Sequence, residues 1–169
     1  MKKLARLTAL LLTCALLLVL TACGAETEQQ AKQRLLKEIN SYRATLELAP
    51  LVEVKELSAA EQVWAEQFRA AGKTELLSSE TEETYKKWES MVDGWTCCDN
   101  FGWGWDERED GEQIDILSAK VPANTPEGKA ELWAALRGSD AFDYECKSIG
   151  IAVVTIKGQM YWICDVFHD

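Results

Sequence analysis

Four stretches of the chain repeat apolar residues at helical spacing. From Ala31 to Leu48, the residues Leu35, Ile39, Tyr42 and Leu46 recur at steps of four, three and four, which places one apolar stripe along a helix. Pro50 ends it. A second helix is expected from Ser58, where Glu61 three residues on completes a capping pattern. Val63, Trp64, Phe68 and Ala71 form its inward face and Gly72 its stop. Ser79 and Glu82 repeat the capping pattern ahead of a third helix, with Tyr85, Trp88 and Val92 as its stripe and Gly94 as its stop. Thr125 caps a fourth, with Pro126 at the first helical position, Ala130, Trp133 and Leu136 facing inward, and Gly138 closing it.

The period changes at the end of the chain. Ile149 to Ile156 and Gln159 to Phe167 flank Lys157-Gly158, a hairpin pattern. Ile149, Ile151 and Val153 share one face, and Ala152, Val154 and Ile156 share the other. Both faces are apolar, so the sheet needs cover on both sides. Helices before and between the strands supply it, which predicts an α/β fold: a three-layer α/β/α sandwich whose small, largely antiparallel sheet ends in a C-terminal hairpin.

The first residues follow neither pattern. Lys2, Lys3 and Arg6 precede an apolar run from Leu7 to Leu20, and Leu20-Thr21-Ala22 precedes Cys23. A basic start, a short apolar stretch and small residues before a cut mark a secretory signal. The run is too short and too interrupted, by Thr8 and Thr13, for a membrane-spanning helix. Leu20-Thr21-Ala22-Cys23 resembles a bacterial lipobox, which implies cleavage before Cys23 and lipidation of that cysteine. The expected division is a signal peptide over 1–22, a lipidated cysteine and polar tether over 23–30, and one domain over 31–169. The location this implies is the cell envelope, on the extracytoplasmic face of a membrane. More than one acyl chain is needed for stable anchoring.

Charge narrows the partners. The whole chain carries a net −10, and loss of the three basic residues of the leader makes the rest more negative still. Such a surface disfavours nucleic acid and anionic head groups, so the lipid must hold the domain at its membrane.

Cysteine usage fits export. Of six cysteines, Cys14 leaves with the leader and Cys23 takes lipid. Cys97, Cys98, Cys146 and Cys164 remain, an even number in an oxidising compartment, which predicts two disulfides of unspecified pairing. Cys97 to Cys98 is the least favoured pairing because adjacent cysteines close a strained ring. With one histidine, His168, and no paired C-x-x-C spacing, the chain offers no zinc set, and no metal or cofactor is expected. Cys164 and His168 share a strand face about 13 Å apart, too far for a nucleophile and its base.

The densest chemistry lies in Trp95-Thr96-Cys97-Cys98-Asp99-Asn100-Phe101-Gly102-Trp103-Gly104-Trp105, which holds three of the seven tryptophans. Bulky rings separated by glycine fit a strand or turn where rings fill a cleft or a core. Asp99 is the acid of interest, and Trp95, Asn100, Trp103 and Trp105 are the companion candidates for a ligand cleft.

The order of the pieces resembles the CAP superfamily, the SCP-like group of cysteine-rich secretory, antigen 5 and pathogenesis-related proteins. Asn40-Ser41-Tyr42-Arg43 followed by Pro50-Leu51 resembles the family's opening helix. Leu57 to Ala65 resembles its second helix, and Cys98-Asp99-Asn100 to Gly104 its Glu-Asn segment. Trp133 to Gly138, Ile149-Gly150-Ile151-Ala152 and Tyr161-Trp162 resemble its later motifs. The resemblance spans roughly Leu35 to Phe167 and implies the CAP arrangement of the sandwich around a central cleft, with Asp99 at the position of a family acid. Many members also carry two histidines there, sometimes with a metal. Here Gly72 to Ser78 and Gly138-Ser139-Asp140 hold none. The expected function is therefore a lipid-anchored, non-catalytic binding module for a small molecule, lipid, peptide or envelope protein. The alternatives are a hydrolase using Asp99 and an envelope structural protein.

Overall fold

The computed structural model describes residues 26–143 and 145–168; the leader and Cys23 lie outside them. The fold is mixed α/β. Helices α1 (Glu28–Thr45), α2 (Lys55–Ala71), α3 (Ser78–Met91) and α4 (Pro126–Arg137) accompany strands β1 (Val52–Glu53), β2 (Glu75–Leu77), β3 (Thr96–Phe101), β4 (Trp103–Glu107), β5 (Gln113–Leu117), β6 (Ser148–Ile156) and β7 (Gln159–His168). The main sheet runs β1-β6-β7-β3 and a smaller one β2-β5-β4. Among the described residues only β1 against β6 is parallel.

The C-terminal hairpin forms as its alternation predicts. Lys157 and Gly158 both take positive φ, at 50° and 83°, the twist a two-residue hairpin turn requires. On one face of the sheet, Ile149, Ile151, Val153, Trp162, Cys164 and Val166 pack against Leu35 and Ile39 of α1 and Leu132 and Leu136 of α4. On the other, Ala152, Val154, Ile156 and Ile163 pack against Trp64, Ala65 and Phe68 of α2. Leu57 and Ala60 of α2 meet Phe167 beside them. Helices thus cover both faces, and Gly150 lets α2 lie directly on β6: a Cβ there would stand 2.8 Å from the backbone of Leu57.

Several local expectations shift. The polar segment ahead of Ala31 is not a tether up to residue 30. Thr27 caps α1, accepting from the Gln30 N–H while the Gln30 side chain accepts from its own. Glu28 then accepts from the Thr155 N–H and pairs with Arg69, so residues 26–30 belong to the domain. Leu46 falls beyond α1 and is exposed. In α2, Ser58 is not the cap. The helix begins three residues earlier, because Val54 bonds Ile149 of β6 and accepts the first helical N–H from Ser58. Ser58 instead donates its hydroxyl to Glu53 and accepts from the Ile151 N–H. In α3 the capping acid is Glu80, which accepts from the Leu77 N–H, not Glu82. Ala71 and Ala130 are exposed, and Leu132 takes the inward position beside Leu136. Thr125, Pro126 and Gly72 hold the roles predicted for them.

The tryptophan-rich stretch divides between the two sheets. Gly102, at φ 92°, is the corner: β3 before it joins β7, and β4 after it joins β5. A Cβ on Gly102 would lie 2.2 Å from the Trp162 carbonyl oxygen, so no other residue fits this turn without moving β7.

Candidate functional site

The corner at Gly102 sends Trp103 and Trp105 along β4 onto one face, since residues two apart on a strand share a side. Tyr85 of α3 and Trp64 of α2 close over that face, and Asp115 of β5 and Asn100 of β3 complete a groove of about 660 Å³. The rings brace one another: Trp64 meets Trp103 at 5.4 Å and Tyr85 at 6.2 Å edge-on, and Tyr85 stacks on Trp88 at 5.8 Å. These are favourable ring geometries. Trp105 is 69% exposed and stands at the opening.

One carboxylate faces this aromatic wall from a buried position. Asp115 is 8% exposed and accepts the Thr81 hydroxyl. Among the described residues no cationic side chain forms an ion pair with it.

Behind the groove lies a pair of acids. Glu61 on α2 and Asp165 on β7 are 0% and 1% exposed. Trp88 donates its indole N–H to Glu61 at 2.9 Å, and Trp103 donates to Asp165 at 3.2 Å. The second oxygen of each carboxyl has no partner, and neither has the buried Trp64 Nε1–H. Burial, then the charge of Asp165, pushes the Glu61 carboxyl well above its ordinary range against the Trp88 bond. Burial pushes Asp165 up to about 7, against the Trp103 bond that lowers it and with the charge of Asp99 adding to the rise. The pair therefore keeps a proton in mildly acidic solution. Trp88 and Trp103 contribute the two donors, and Trp103 also lines the groove, so the buried acids are sealed from the groove rather than presented to it.

The site candidates separate accordingly. Asn100, Trp103 and Trp105 line the groove. Asp99 and Trp95 do not. Asp99 sits where β3 shifts register and accepts the Asn100 N–H on its own side chain, and Trp95 packs edge-on against Phe167 at 6.2 Å. Glu61 and Asp165 were readable: Glu61 falls on the stripe of Leu57, Trp64, Ala65 and Phe68, and Asp165 alternates with Ile163 and Phe167. An acid at such a position is the signal.

The four remaining cysteines form one disulfide, Cys98–Cys146, not two. The register shift between Cys97 and Asp99 leaves Cys98 out of the ladder, where it packs with the α1-side core that holds Cys146. Cys97 lies opposite Phe167 and Cys164 opposite Phe101. That offset of three residues, roughly 10 Å along the strand, is beyond a disulfide's reach. Desolvation of the thiol, then the charges of Asp165, Glu61 and Asp99, pushes Cys97 up to about 12. Burial first drives Cys164 well above its ordinary value. Neither thiol is a ready thiolate nucleophile. His168 comes within 4.8 Å of both sulfurs of the disulfide, which as a disulfide offers no thiolate to a metal.

No known protein family, curated protein or solved structure matches the chain.

Proposed function

We propose that this chain is a lipid-anchored extracytoplasmic binding domain of the CAP arrangement, and that its ligand occupies the aromatic groove between α3 and the β4–β5 pair. The groove carries the proposal: it is large enough for a small organic molecule, and the rings of Trp64, Tyr85, Trp103 and Trp105 share its lining with polar side chains that include Asn100 and Asp115. Anchoring rests on the leader and Cys23 of the sequence. The CAP reading draws support from the opening motif, because Asn40 bonds the Leu51 backbone in both directions at 2.8 and 3.0 Å. It also draws on a hairpin-centred sheet with helices against both faces. Among the described residues no helix is long and apolar enough to cross a membrane. Binding rather than hydrolysis is favoured because Asp99 stands outside the groove and the acid pair is sealed beneath Trp88 and Trp103.

The test is native mass spectrometry of the protein purified from its own envelope. A bound small molecule is expected on the wild type and not on Trp105→Ala. Trp105 is so exposed that its removal should leave stability within about 0.5 kcal/mol. A ligand retained equally by the Trp105→Ala protein contradicts the assignment.

A further inference from the structure

We infer that the ligand of this groove is an organic cation carrying an ammonium group; the inference rests on the groove being the binding site.

The charges at the groove are of one sign. Its lining includes Asp115 and Glu82 and no lysine, arginine or histidine. The two acids are not equivalent. Glu82 already pairs with Lys86 at 2.8 Å on the exposed side of α3. Asp115 is buried with only the Thr81 hydroxyl against it. A buried carboxylate is costly unless a charge and hydrogen bonds meet it, and a cation entering the groove supplies the missing charge.

The walls fit the same occupant. Indole and phenol faces attract a cation lying within about 6 Å of the ring centroid, tryptophan most strongly, and more when water is excluded. Trp103, Trp105, Tyr85 and Trp64 converge here from three elements. The molecule already uses this contact elsewhere: Lys129 Nζ lies 5.5 Å from the Trp133 ring centroid. An anionic ligand would meet Asp115 with no compensating base. A purely apolar one would cover that carboxylate and strip its remaining water without replacing it. The net charge of −10 draws cations toward the surface before they reach the groove.

Choline is the simplest probe of this chemistry, and 3,3-dimethylbutan-1-ol is its neutral isostere. The full chain in detergent solution is titrated with each, and with N-acetylglucosamine, by tryptophan fluorescence and calorimetry. Choline is expected to saturate, with the isostere about tenfold weaker or more. Asp115→Asn should weaken choline by a similar factor and leave the isostere unchanged, while Trp105→Ala should weaken both. Equal affinity for choline and its isostere, choline binding untouched by Asp115→Asn, or preference for the sugar overturns the cation inference and leaves the groove standing. Absence of binding by all three probes overturns the cation inference. Indifference of every probe to Trp105→Ala overturns the groove assignment itself. Should Asp115→Asn fail to fold, the comparison of choline with its isostere on the wild type decides.

Discussion

Arg43→Met is expected to be the most damaging single substitution in the domain, costing about 3–5 kcal/mol and lowering Tm by at least about 10 °C. The guanidinium is fully buried. Its Nε–H donates to the Ala49 carbonyl at 2.9 Å, Nη1 to Phe142 at 2.9 Å and Nη2 to Cys146 at 3.0 Å. It thereby joins the end of α1, the loop before β1, the short 3-10 turn Asp140–Phe142 and the disulfide-bearing strand approach. Methionine fills the volume but leaves those buried carbonyls without their donor. Arg43→Lys should be nearly as poor, because a single ammonium cannot replace a planar fork reaching three separate carbonyls. Thermal and urea unfolding would measure both, and a Met variant within about 1 kcal/mol of wild type would show that the network is incidental.

The second large effect concerns pH. In the folded state Asp165 binds its proton up to about 7, and Glu61 is raised as well, by burial and then by Asp165. The unfolded chain releases those protons near pH 4. Between these limits the native state holds more protons than the unfolded state, so stability falls as pH rises. The contribution is complete below the unfolded pKa and is lost through about pH 7, amounting to a few kcal/mol for a rise of this size. Glu53 and Glu66 act oppositely: burial works against the bonds from Lys32 and Ser58 at Glu53, whereas Arg69 holds Glu66 down, and the net shift of each is downward. Their contribution is lost in stronger acid, which places the optimum in the mildly acidic range. Asp165→Asn keeps an acceptor for the Trp103 indole, removes the ionisation and offers an N–H to its surroundings. It should raise stability at pH 8 by about 1–3 kcal/mol and flatten the slope between pH 5 and 8. The double variant with Glu61→Gln should flatten it further. Denaturant unfolding across that range would reveal an unchanged slope if the acid pair were not responsible.

Much of the architecture was legible because long elements repeat their pattern often enough to be read. Leu35, Ile39 and Tyr42, the Thr125-Pro126 start and the alternating hairpin all take their expected places. Strands β1, β2 and β5 were not legible, being two, three and five residues long, too short to establish a period. Helix starts moved because capping patterns compete: Ser58 and Ser79 look like caps locally, but Val54 and Leu77 are held extended by the strands they leave. The site was half legible. Trp103, Trp105 and Asn100 were found by composition, whereas Asp99 drew attention that belonged to Asp115, Glu61 and Asp165. Glu61 and Asp165 stand among apolar neighbours at the spacing of their own elements, whereas the burial of Asp115 depends on distant elements that its sequence neighbours do not report. The disulfide likewise follows from the bulge at Cys98, which no cysteine spacing encodes.

Every tryptophan carries an indole N–H, and the seven of them report on different parts of the fold. Nitrogen-labelled protein titrated with choline would therefore locate the ligand directly by indole resonances. Trp64, Trp103 and Trp105 are expected to shift in a saturable manner, while Trp133 on α4, bonded to Glu38, and Trp162 in the opposite core stay in place. Shifts concentrated at Trp133 or Trp162, with the groove tryptophans unmoved, would contradict the groove assignment.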